Sequence, residues 1–199
     1  NEEAFDTNSF QNQPESGKEN EVQTKVTQEF KGFVDQLIAV GVNVIEFEDY
    51  KDSTTPDSIF PNNWFSTHES GELICYPMAV SNRRKERRDD IIQFLKNKYD
   101  YHYQSLVEFE SQNQYLEGTG SLIFDHNNKV VFAAVSPRTH IHPLEELGRL
   151  LNYKIIPFKS LGKAGELIYH TNVMMCVGAS FVAIGMNTVD EKDQQKLKT

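Results

Sequence analysis

Cysteine is scarce in this chain: Cys75 and Cys176 are the only two among 199 residues. Both sit in apolar runs, LICYP and VMMCVG, so they read as buried core thiols, and a disulfide framework or a zinc site would need more of them. That usage suits a reducing compartment, and a cytoplasmic location is expected. Positive charge is also in deficit, since 20 Lys and Arg stand against 29 Asp and Glu for a formal net charge of −9. Such a surface repels phosphate backbones and anionic lipid, which argues against nucleic acid or a membrane as partner. No run approaches the roughly 18 apolar residues of a membrane span, and the opening NEEAFDTNSF has neither the basic start nor the apolar core of a signal peptide. What the chain does have is the balance of a globular domain, 38% hydrophobic and 25% charged.

Residues 11–20 (QNQPESGKEN) read as a loop. Beyond them Val22, Val26, Phe30, Phe33, Val34, Leu37 and Ile38 recur at intervals of three and four, which predicts an amphipathic helix stopping at Gly41. VNVIEFE, residues 42–48, predicts a strand, and a loop follows over 49–59. Three hairpin patterns come next, in residues 64–78 around His68 to Gly71, in 121–135 around Asp125 to Asn128, and in 172–185 around Gly178 and Ala179. The first two are each followed by helical spacing, Arg87 to Tyr99 and His142 to Leu151, and then by a strand, 105–110 and 153–158. A third helix starts near Asp190. The period is about 55 residues, so the chain reads as an array of strand, strand, helix, strand units rather than a doubly wound sheet.

A short polar cluster precedes each hairpin: Asn62 and Asn63, Glu117 to Ser121, and His170 to Asn172. Units related by rotation would bring the three together on one axis. Gly118 and Gly120 beside Glu117 permit positive φ or a close approach of backbone, although all three clusters also suit ordinary turns. NRRKERR, residues 82–88, reads as a solvated charged face paired with Glu86, Asp89 and Asp90. His140 and His142 have strand-like spacing but no partnering ligands, so no metal site is expected.

The segments DSIFPNNWFSTH, YLEGTGSLIFD, VSPRTH and YHTNVMM, taken in this order, resemble the guanidino-group-modifying enzymes, the arginine deiminase and amidinotransferase-like superfamily. The resemblance spans most of the chain and is greatest toward the citrulline-hydrolysing, amidinotransferase-related branch. It implies an α/β pentein propeller of ββαβ units with pseudo-fivefold symmetry, incomplete here, with residues 1–199 as one partial catalytic domain. It also implies a hydrolase acting on the ureido or guanidino C–N bond of an arginine-derived amino acid through a covalent cysteine intermediate, with no metal or organic cofactor. Glu117 would be the catalytic carboxylate and His170 the general acid/base, a role that suits an imidazole near neutral pH. Arg138 would grip the substrate's α-carboxylate with its planar fork, and Phe60 would pack against the flat substrate group.

Two departures refine that expectation. Arginine-processing members of the superfamily hold the cationic guanidinium with aspartates at the positions of Asn63 and Asn172. Amides remove that ion pairing but can donate to a ureido oxygen and accept from a ureido N–H, so citrulline is the expected substrate. Arginine deiminase or amidinotransferase activity remains the alternative if Asn62 rather than Asn63 faces the pocket. The second departure is the family's nucleophile, a cysteine near the C-terminal end of about five units, for which neither Cys75 nor Cys176 is suited. The expectation is therefore a fragment that is inactive by itself. The opening NEEAFDTNSFQ likewise resembles the family's N-terminal motif without its first strand. A non-catalytic pentein that binds a partner, as ribosome anti-association factors do, is the rival reading, and a homo-oligomer is compatible with either.

Overall fold

The computed structural model describes residues 19–50, 55 and 57–198. The opening motif, residues 11–18 of the expected 11–20 loop, and residues 51–54 and 56 of the 49–59 loop lie outside the described residues, while Glu19 and Asn20 are already helical. Contacts divide the chain into two compact parts, residues 1–53 and 54–199.

In the first part a helix spans Glu19–Ala39. It ends as the sequence predicts: Gly41 takes φ +87°, and the N–H groups of Gly41 and Val42 close onto the carbonyls of Ile38 and Leu37. Residues 42–48 form no strand. Their alternation allows an extended backbone, but a strand needs a neighbouring strand to form a ladder with, and no described strand pairs with them.

Among the described residues the second part contains eight strands: β1 (Phe65–Thr67), β2 (Glu72–Cys75), β3 (His102–Ser105), β4 (Ile123–Asp125), β5 (Val130–Ala134), β6 (Lys154–Phe158), β7 (Met175–Val177) and β8 (Val182–Ile184). They form three small sheets in the orders β1-β2-β3, β4-β5-β6 and β7-β8. In each three-stranded sheet an antiparallel hairpin is followed by a helix and a strand that pairs parallel with the hairpin's second strand. These are two complete ββαβ repeats. The third has a hairpin and the short helix Glu191–Gln194, capped by the Asp190 carboxylate, and the sheets do not close into a barrel among the described residues.

The crossover helices follow from local chemistry. Asp89 and Asp90 open the helix Asp89–Tyr99 and Lys96 and Lys98 close it, complementing its dipole, and Asp100 ends it in the left-handed region. The helix Ile141–Leu151 buries Leu144, Leu147 and Leu151 on one face and stops at Asn152, also left-handed. The third strand of the first repeat falls at His102–Ser105, ahead of the predicted 105–110. Val107–Gln112 is instead a tight 3-10 turn, because pairing with the four residues of β2 is complete at Ser105.

The central strand of each three-stranded sheet is apolar on both faces, as a strand between two layers must be. From β2, Leu73 and Cys75 join a core with Trp64, Met78 and Ile92, while Ile74 and neighbouring Tyr76 join a second with Leu116, Leu122, Val131 and Leu147. From β5, Val131 and Ala133 enter that second core and Ala134 enters a third with Phe158, Met175 and Val189. Sheets and cores thus alternate, and each fully buried Leu or Ile contributes about 1.5–3 kcal/mol. This stacking sets the turns ahead of β1, β4 and β7 side by side. Cys75 is buried as expected, but Cys176 is exposed, because strand alternation points Met175 inward and its neighbour outward.

Candidate active site

The turn Pro61–Asn63 packs on the single helical turn Gly118–Ser121, which in turn packs on Thr171–Val173. The three polar clusters therefore meet. Gly118 adopts φ +44°, and a Cβ there would lie 2.1 Å from the Asn62 carbonyl oxygen. At Gly120 a Cβ would lie 2.6 Å from Asn63 Nδ2 and 2.7 Å from His170 Nδ1. Only glycines permit this approach.

Glu117 stands at the centre with no exposed surface. One carboxylate oxygen, Oε2, meets His170 Nε2 at 2.7 Å and Arg138 Nη1 at 3.3 Å, and the other accepts from the Ala79 N–H at 3.0 Å. Burial pushes its pKa up, but the His170 bond, the Arg138 charge and the Ala79 N–H outweigh it and hold the pKa down at about 2. Burial and the cations Arg138 and Arg83 lower the pKa of His170 against the pull of Glu117. At neutral pH His170 is thus uncharged. An ionised carboxylate only accepts, so the ring proton sits on Nε2 and Nδ1 carries the lone pair.

A hydroxyl relay fixes these groups. Ser121 Oγ accepts from the Glu117 N–H and from Thr139 Oγ1 and donates to the Arg138 carbonyl. Thr171, beside His170, donates to the Ser121 carbonyl at 2.5 Å and accepts from the Ala134 N–H at 2.8 Å, which ties the third repeat's turn to β5.

The sequence candidates divide into two sets. Glu117, His170, Arg138 and Asn63 are brought together and buried, with Arg138 only 3% exposed, placed against Glu117 and over the Tyr169 ring. Asn172 and Phe60 are exposed, Phe60 by 54%. Asn62 is also exposed and donates to Thr119 Oγ1, so Asn63 is the amide that faces the cluster. His140 Nδ1 accepts from the Tyr115 N–H.

Sequence reasoning missed a second buried pair. The charge run is no solvated face: Arg83 is held by both Glu86 oxygens and donates to Asn63 Oδ1 at 2.7 Å. Arg84 and Arg87 pair with Glu110, and only Arg88 pairs with an exposed acid, Asp90. Asp57 is buried nearby, with its Oδ2 lacking a hydrogen-bond partner among the described residues. The three-residue spacing of Arg83 and Glu86 was the available signal. Neither cysteine is bonded to the cluster, and burial raises the pKa of the Cys75 thiol. Among the described residues no group of His, Cys, Asp and Glu could hold a metal ion, and no helix is long and apolar enough to cross a membrane.

The family match, together with the fold of stacked ββαβ repeats, places the chain in the pentein, guanidino-modifying superfamily. The model of the eukaryotic N,N dimethylarginine dimethylhydrolases matches residues 1–199, and the chain belongs to that family. No curated protein matches it. Among solved structures, the apo form of ArgZ, an arginine dihydrolase from the ornithine-ammonia cycle in cyanobacteria, superposes with a TM-score of 0.70 at 15% identity, covering 89% of this chain and 26% of ArgZ. The substrate-bound N-terminal domain of ArgZ gives the same TM-score and identity over 88% of this chain and 60% of that one. A dimethylarginine dimethylaminohydrolase, in an adduct with 4-chloro-2-hydroxymethylpyridine, gives 0.65 at 13% identity over 87% of this chain and 65% of its own. At these identities the likeness is one of fold, and the chain spans less than two thirds of each of these proteins.

Proposed function

We propose that this chain is part of a hydrolase that cleaves the C–N bond of a ureido group on an arginine-derived amino acid, with citrulline as the substrate that suits it best. The observation that carries this is the amide of Asn63, set beside His170 at a place where a cation would need a carboxylate. We further propose that residues 1–199 belong to one catalytic domain of five ββαβ units and that the nucleophilic thiolate comes from outside these 199 residues.

In this reading the thiol gives its proton to His170 Nδ1 and its sulfur attacks the ureido carbon. His170 passes the proton to the departing nitrogen, which leaves as ammonia, and water then cleaves the new C–S bond with His170 as base. Glu117 keeps the imidazole in the reactive tautomer and stabilises it when charged. Arg138, which shares its charge with Glu117, meets the substrate's α-carboxylate. Asn172 and Phe60 border the entrance.

Hydrolysis of a guanidinium substrate is the second reading, favoured by the family match and by the buried Asp57 carboxylate. Titration calorimetry of the 199-residue chain with citrulline and with arginine separates the two without needing turnover. The first reading expects citrulline to bind roughly tenfold more tightly, the worth of about one neutral hydrogen bond. Tighter arginine binding would establish the second. Converting Asn63 and Asn172 together to Asp is expected to move the preference toward arginine, and an unchanged ratio would remove the amide argument.

A further inference from the structure

The contact between Arg83 and Asn63 determines which end of that amide faces the reacting group. Arg83 Nη1 stands 2.7 Å from Asn63 Oδ1. A guanidinium has five N–H donors and no acceptor, so a flipped amide would set N–H against N–H. Arg83 cannot turn aside to relieve such a clash. Glu86 holds its Nε at 3.0 Å and its Nη2 at 2.9 Å, and the carbonyls of Asp57 and Phe60 both accept from Nη2 at 3.3 Å. The side chains of Arg83 and Glu86 are 5% and 1% exposed, so solvent does not compete for these bonds.

The consequence is read at the other end of the amide. Asn63 Nδ2 lies over Gly120 beside His170 Nδ1, both within 2.7 Å of the point where a Gly120 Cβ would sit. Neither nitrogen has a hydrogen-bond partner among the described residues. With the ring proton committed to Glu117, the site presents a donor, Asn63 N–H, next to an acceptor, His170 Nδ1. A ureido end has the complementary pair, a carbonyl oxygen and an NH2 group. A guanidinium has donors alone and leaves the Asn63 donor facing another donor.

We propose that Arg83 is a specificity-determining positioning residue, which locks Asn63 with its N–H donors toward the reacting group and so selects a ureido over a guanidinium substrate. The proposal rests on the ureido reading above and extends it to a residue outside the catalytic cluster. It also explains why Arg83 carries its own counter-ion in Glu86, since an amide cannot neutralise a buried cation.

The test compares the citrulline-to-arginine affinity ratio in the wild-type chain, in Arg83→Lys and in the double variant Arg83→Gln with Glu86→Gln. Lysine is still a donor without an acceptor, so Arg83→Lys is expected to keep the ratio within about twofold. The double variant leaves no buried charge behind and frees the amide to flip. Its ratio is expected to fall roughly fivefold to tenfold, citrulline weakening and arginine tightening. A folded double variant, checked by near-ultraviolet circular dichroism, that keeps the wild-type ratio overturns the proposal, as does an equal loss in both variants, which would mark a merely structural role. Nitrogen-15 NMR of the wild-type chain tests it without any variant. The Asn63 side-chain NH2 resonances are expected to shift on citrulline addition, and no shift at saturation also overturns it. A wild-type chain that prefers arginine defeats the ureido reading itself and the proposal with it; a wild-type preference for citrulline beside an unchanged double variant defeats the proposal alone.

Discussion

The first and second repeats supply the same two parts to the site and use them differently. Each offers a side chain from the turn ahead of its hairpin and an arginine from the segment after its second strand: Asn63 with Arg83, and Glu117 with Arg138. In the second repeat the turn residue is itself the counter-ion, and the pair is an ion pair with a histidine attached. In the first the turn residue is neutral, so the counter-charge is Glu86, three residues further on in the turn that follows the Ser81–Arg84 helix. An amide in place of a carboxylate therefore shifts the charge balance to another residue and turns the arginine from a partner into a clamp. One backbone plan yields a buried ion pair on one side and, in the proposed reading, a selective pair on the other.

The largest expected effect breaks this comparison at its charged member. Glu117→Ala leaves Arg138 buried without its carboxylate and His170 without its acceptor, a loss of about 3–5 kcal/mol. Asn63→Ala removes one hydrogen bond while the Arg83–Glu86 pair stays whole, a loss of about 1–2 kcal/mol. Urea denaturation of the two variants measures both. Similar losses would mean that the two arginines are held alike and that the contrast between ion pair and clamp is mistaken.

The same contrast explains how much was legible in the sequence. Hairpins, crossover helices and the 55-residue period follow from apolar spacing and turn residues, which are local signals, and the convergence of Asn63, Glu117 and His170 follows from the repeat. Alternation failed where no strand met it: VNVIEFE has the spacing of a strand but pairs with no described strand, and the run after Ser105 forms a tight turn because β2 offers only four residues to pair with. Cys176 was misplaced because an apolar run does not tell which face of a two-stranded sheet is covered. Arg83 was hidden for a similar reason. Five cations in seven residues look alike until the fold buries one of them against Glu86 and leaves Arg88 with an exposed partner.

A smaller effect sharpens the comparison between the repeats through their hairpins. His68 and His126 each follow the first strand of their hairpin, yet His68 is 6% exposed and His126 is exposed, stacked on Phe124 at 5.3 Å. His68 Nε2 bonds Ser66 Oγ at 2.8 Å, which bonds the buried Tyr76 hydroxyl, while Nδ1 has no hydrogen-bond partner among the described residues. Burial, and then the charge of His126, lower the His68 pKa to about 4 despite Glu72. Since the folded value lies below the unfolded one near 6.5, the unfolded chain takes up the proton first, and stability is lost as pH falls from about 6.5 through 4. The loss assigned to His68 is at most about 3 kcal/mol. Because His170 is lowered as well, His68→Gln should flatten the decline in this window without abolishing it. Further loss then belongs to the second repeat: Glu117, held at about 2, surrenders its contribution as pH drops from about 4.5 through that value. His126→Gln should change the free energy of unfolding in urea by less than about 0.5 kcal/mol, as surface substitutions do. If His126→Gln flattened the decline as much as His68→Gln, burial of the first repeat's histidine would not be the cause, and the two hairpins would respond to acid as equals.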